Sequence, residues 1–114
     1  MRTLRCAEVR EKWHEFNVGI FAGLLRPTKF YITSNCDSPD EGWIWKRGHS
    51  ARVGGIGLNC HYLTSSHWSS VLLHEMVHQF QWEVGESSDD WVAHAEFPAW
   101  HKYITDLGYE EQIL

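Results

Sequence analysis

Val71-Leu72-Leu73-His74-Glu75-Met76-Val77-His78-Gln79-Phe80 contains His-Glu-x-x-His, two imidazoles four residues apart with a carboxylate beside the first. On an α-helix, residues i and i+4 lie one above the other on the same face, so both rings can reach one metal ion from a rigid support. Glu75 lies about 100° further round the helix, where it flanks that ion and can address a water beside it. Trp68, Val71, Leu72, Met76, Val77 and Phe80 recur at helical spacing, and Thr64-Ser65-Ser66 offer N-caps just ahead of them. An ordinary amphipathic helix with two solvated histidines would show the same five-letter pattern, so the rest of the chain must supply the missing parts of a site.

The 114 residues suit a single domain spanning 1–114. A 43% apolar and 14% aromatic composition, including seven tryptophans, favours a packed core over disorder. No apolar run is long enough to span a bilayer, and Met1-Arg2-Thr3-Leu4-Arg5-Cys6-Ala7-Glu8 is too charged for a secretory apolar core, so a cytoplasmic protein with no membrane association is expected. Cys6, Cys36 and Cys60 are odd in number and contain no Cys-x-x-Cys pair, which fits reduced structural thiols.

The net charge of −5 is unevenly distributed. Residues 1–52 hold nine of the ten Lys and Arg against six acids, whereas residues 53–114 hold Lys102 alone against nine. Arg2, Arg5, Arg10 and Lys12, with Arg26, Lys29, Lys46, Arg47 and Arg52, offer a basic face to a polyanion such as DNA. Interleaved Glu8, Glu11 and Glu15 and the acidic total favour ordinary solvated charges instead.

Upstream of the motif, Leu4, Ala7, Val9, Trp13, Phe16, Ile20, Phe21 and Leu24 predict an amphipathic helix from Thr3 to about Leu25, broken by Arg26-Pro27-Thr28. Three short strands follow at Lys29–Thr33, Trp43–Lys46 and Gly55–Cys60, separated by loops rich in Gly, Ser, Asp and Asn. Downstream, residues 85–90 form a polar turn, and a last helix begins at Pro98, where a missing N–H is harmless. Trp100, Tyr103, Ile104 and Leu107 make its apolar stripe and Gly108 ends it. The order is α+β. Trp43, Trp45, Trp82, Trp91 and Trp100 are expected mainly in the core.

A catalytic zinc takes three protein ligands and leaves one position open, so a third donor must follow the turn. His94, 16 residues after His78, starts the returning segment and can point back at the motif helix; His101 and Glu96 are the alternatives. His14, His49, His61 and His67 fall outside this geometry, although His67 could line the cleft from the helix N-terminus. Glu83, Glu86, Asp89, Asp90 and Glu96 could brace ligand histidines or simply solvate the turn. His101 and Tyr103 are candidates for stabilising an oxyanion.

Over most of its length the chain resembles the SprT-like zinc metalloproteases, the family of the bacterial SprT proteins and the Spartan protease domain. The resemblance rests on Phe16-Asn17 with Ile20-Phe21, the strand Lys29–Thr33 after a Leu-x-Pro break, Ile56-Gly57-Leu58-Asn59, the motif Leu72–His78, and His94 with Phe97. It implies a minimal zincin-like fold, one zinc ion held by His74, His78 and His94, Glu75 as general acid/base, and hydrolysis of a protein or peptide substrate. Two features depart from the family: His94 is followed by Ala95 with Phe97 one residue early, and no cysteine follows Cys60 to build a C-terminal zinc ribbon. Two other functions stand beside the protease: a DNA-associated module acting on bound proteins, and a zinc-stabilised binding protein. Against the latter, a purely structural zinc site has no use for a carboxylate such as Glu75. Imidazole ligands must be neutral, so metal binding should weaken in acid.

Overall fold

The central strand of the sheet is the most glycine-rich segment of the chain. A computed structural model describes residues 4–48, 53–60, 67–85 and 90–114. The third strand, β3 (Val53–Asn59), lies between β1 (Lys29–Thr33), which runs parallel to it, and β2 (Gly42–Lys46), which runs antiparallel. The register pairs Tyr31 and Trp43 with Gly57, and Trp45 with Gly55. Side chains alternate across a strand, so Ile56 and Leu58 turn to the core at 0% and 1% exposure while Gly55 and Gly57 lie on the opposite face, buried under two indoles. The glycines are required there: a Cβ at Gly57 would overlap the Trp43 ring, and one at Gly55 the Trp45 ring. Each indole thus lies flat across a bare stretch of its neighbour's backbone. The second strand begins one residue before the predicted Trp43, and the third begins two before Gly55 and stops one short of Cys60.

The first helix, α1, covers Cys6–Phe21, shorter than the Thr3–Leu25 expected; Thr3 lies outside the described residues. Proline is not what stops it. Ala22 takes a left-handed conformation (φ 55°), Gly23 follows at φ 74°, and the Gly23 N–H returns to the Asn17 carbonyl at 2.8 Å. Asn17 secures the exit with its buried amide, which donates to the Leu25 carbonyl and accepts from the Leu25 N–H. Val9, Trp13, Phe16 and Ile20 form the buried stripe.

The second helix, α2 (Trp68–Glu83), carries the motif and packs on α1, β2 and β3. Leu72, Leu73, Met76 and Val77 are all at 0% exposure and form the centre of the core. The proposed caps Thr64-Ser65-Ser66 lie outside the described residues, and the N-cap position is His67, whose carbonyl takes the N–H groups of Ser70 and Val71. The polar turn expected at residues 85–90 lies largely outside the described residues, and beyond it the chain forms two helices rather than one: α3 (Asp90–Ala95) and α4 (Phe97–Asp106). Pro98 sits in the first turn of α4, where no donor is missed. Gly108, at φ 96°, ends the helix as expected. Of the predicted α4 stripe only Ile104 is fully buried; Tyr103 and Leu107 are 47% and 45% exposed. Trp43, Trp45, Trp82 and Trp100 are half-buried rather than internal, and the side chain of Trp91 lies outside the described residues. The architecture is α+β, with four helices and a three-stranded mixed sheet among the described residues. Among the described residues no helix is long and apolar enough to cross a membrane.

Candidate metal centre

Helix α2 presents His74 and His78 one turn apart, and α3 brings His94 against them. One ligand atom from each ring lies within 4.8 Å of the others. Ring centroids are 5.2 Å apart for His74 and His78, 5.7 Å for His74 and His94, and 4.7 Å for His78 and His94. The Phe97 ring lies within 4.5 to 5.2 Å of all three imidazoles, forming an apolar floor under the cluster. Arriving one residue early does not displace Phe97 from the site, because α3 ends at Ala95 and α4 starts at Phe97, turning the ring back toward the histidines. The cluster grades from buried His78 through half-buried His74 to exposed His94, so it opens to solvent on the α3 side.

The donor chemistry suits a divalent metal ion. His74 Nδ1 lies 2.8 Å from the Ile113 carbonyl, and His78 Nδ1 lies 3.1 Å from Gln81 Oε1. A carbonyl can only accept, so the proton of His74 belongs on Nδ1 and the lone pair on Nε2; the amide oxygen of Gln81 imposes the same tautomer on His78. Oxygen acceptors of this kind orient metal-ligating imidazoles and raise their basicity. The three-histidine cluster contains neither of the alternative donors. His101 Nδ1 is buried without a hydrogen-bond partner among the described residues, and Glu96 Oε1 lies 3.4 Å from Gln81 Nε2, beside the amide that braces His78.

Glu75 is 7% exposed and lines a cleft of about 320 Å³ with His74, Gly42, His67, Gln112 and Ile113. The first residue of β2 comes close to the motif helix here. A Cβ on Gly42 would sit 2.5 Å from Val71 Cγ1 and 3.6 Å from Glu75 Cγ. His67 does line this cleft, with Nε2 at 3.2 Å from Glu41 Oε2. Residues 112–114 close the other wall, and the segment leading to them is anchored to the core. Tyr109 packs on Phe16, the Gln112 N–H donates to Ser70 Oγ at 3.1 Å, and Ile113 buries its side chain to 1% exposure.

Other candidates fall elsewhere. Tyr103 donates to the Ile20 carbonyl and lines a separate apolar groove with Phe21, Phe80 and Trp100, which does not suit it to stabilising an oxyanion at the histidines. Glu83 works on the scaffold, accepting from the Arg26 and Val53 N–H groups and from Gln79 Nε2. His14 is exposed on α1, whereas His49, His61, Glu86 and Asp89 lie outside the described residues. All three cysteines are free thiols, and burial pushes that of Cys60 upward in pKa. Sequence reasoning missed two groups that brace the histidines: Gln81, whose only signal is a polar residue three positions after His78 on the same helix face, and the Ile113 carbonyl, which carries no signal because every residue has one.

The basic residues are divided by the fold. Arg10 and Lys12 are on α1 and Arg5 precedes it at the N-cap, whereas Lys29, Lys46 and Arg47 share a cleft of about 570 Å³ with Tyr31 and Trp45, whose ring centroids are 5.1 Å apart. Arg2 and Arg52 lie outside the described residues. No protein-family model, curated protein or solved structure matches the chain.

Proposed function

We propose that this protein is a zinc-dependent endopeptidase with a minimal zincin-like fold of the SprT-like kind. The observation that carries the reading is the convergence of His74, His78 and His94 from two helices, with two of the rings fixed in one tautomer and a buried carboxylate next to the first. His74, His78 and His94 would hold the ion. When bound, zinc supplies Lewis acidity, lowering the pKa of water toward about 7 and polarising a carbonyl. Glu75 takes the proton of the attacking water and returns it to the leaving amine as the peptide C–N bond breaks. Its burial at the base of the cleft keeps that carboxylate away from bulk water, and the open side at His94 leaves room for an extended substrate.

The test pairs metal content with proteolysis of an unfolded protein. Glu75→Gln is expected to retain zinc while its turnover falls by about 10²–10⁴-fold, the range for loss of a general acid/base. Equal activity in both proteins would remove Glu75 from the mechanism.

A second reading, in which the protease is brought to its targets by DNA, draws on the cleft holding Lys29, Lys46, Arg47, Tyr31 and Trp45, where cations adjoin stacking surfaces. It predicts single-stranded DNA binding that weakens steeply with salt and is lost when the three cations are neutralised together. No binding at low salt sinks it.

A further inference from the structure

Gln81 is 2% exposed and its one amide group reaches three partners on three different segments. Oε1 accepts from His78 Nδ1 at 3.1 Å, while Nε2 donates to the Ala93 carbonyl at 2.8 Å and reaches Glu96 Oε1 at 3.4 Å. The two oxygens on the Nε2 side settle which way the amide points, since an amide turned over would set its oxygen against a carbonyl and a carboxylate. With Oε1 held toward His78, the imidazole must carry its proton on Nδ1. The other end of the amide grips the residue immediately before His94. Helix α3 has only six residues, too few to be stable by its own hydrogen bonds, so its position depends on what it is tied to.

We infer that Gln81 is the positioning residue of the metal centre, a bridge that sets the tautomer of one ligand and the placement of another. The inference rests on reading the three histidines as a metal site. A glutamine that merely fills space in the core would, when replaced, lower the stability of the protein but leave the metal affinity of the folded fraction unchanged. A bridge makes a different demand. Gln81→Leu removes both ends, whereas Gln81→Glu keeps an acceptor for His78 but loses the donor to Ala93 and sets a carboxylate beside Glu96.

The experiment is a competition titration of Zn²⁺ against a chromophoric chelator on the full chain, with folding checked by circular dichroism, together with the visible absorption of the Co²⁺-loaded protein. Gln81→Leu should bind zinc about 10–100-fold more weakly, the usual cost of removing a group that orients a ligand. Gln81→Glu should fall between it and wild type, with a changed cobalt spectrum as His94 moves. In a His94→Ala background the Gln81→Leu effect should shrink, because one of the two ligands the bridge serves is gone. Wild-type zinc affinity and cobalt spectrum in the glutamate variant, or in both variants, overturn the inference; should the leucine variant not fold, the glutamate variant decides alone. A wild-type chain that binds no more zinc than His78→Ala overturns the metal reading itself, and the bridge with it.

Discussion

Gln79 and Gln81 leave the same helix about 200° apart and solve the same problem for different ends. Both are buried amides that bond within α2 and also reach a segment beyond it. Gln79, at 0% exposure, accepts from the Trp13 indole N–H and donates to the Arg26 carbonyl and to Glu83, fastening α2 to α1 and to the loop that follows it. Gln81 faces the histidines and α3. An indole N–H can only donate, so the Trp13 bond has a single state, but an imidazole has two tautomers and its partner chooses between them. The same side chain on one helix is therefore mechanical on the scaffold side and chemical on the site side.

The comparison breaks most readily from the scaffold side. Gln79→Leu leaves the Trp13 N–H and the Arg26 carbonyl without a partner and should cost about 1–3 kcal/mol for each, measured by urea unfolding, while the folded fraction keeps its zinc affinity. A parallel loss of zinc affinity would mean that the two sides of α2 are not separable. A smaller effect is expected where β2 meets the site. Gly42→Ala forces the strand off Val71 at a cost of about 1–3 kcal/mol, and because the strain falls beside Glu75, peptide turnover should drop with zinc content unchanged; wild-type turnover would show that this approach is not needed. Smallest is the behaviour of Cys60, half-buried with its thiol pKa raised by burial. It should alkylate more slowly near neutral pH than exposed Cys6 and Cys36, a difference that peptide mass spectrometry resolves and that equal rates would refute.

Much of this was legible in the residues. The motif helix declared itself through its period, and β1 matched its predicted limits because Lys29–Thr33 is a short β-branched and aromatic run closed by turns. Strand order was not legible: which strands pair, and in which sense, depends on register between segments, and the parallel β1–β3 pairing leaves no local mark. The end of α1 was misplaced because an alanine, not a glycine or proline, takes the left-handed turn. At the site, the histidines could be found from the helical period and the returning segment, but Gln81 acts through partners 12 and 15 residues away, and the brace on His74 is a backbone atom. Side-chain chemistry can be read along a chain more easily than the oxygens that hold it in place.

The Ile113 carbonyl that steadies His74 comes 39 residues later in the chain. A ribosome makes the motif helix well before it makes that oxygen, and domains fold as their parts emerge. The two histidines of α2 thus exist for a time on a helix whose first ring has no brace, and the site matures when residues 109–113 dock. On the proposed reading, this order couples the reactivity of the site to the docking of residues 109–113.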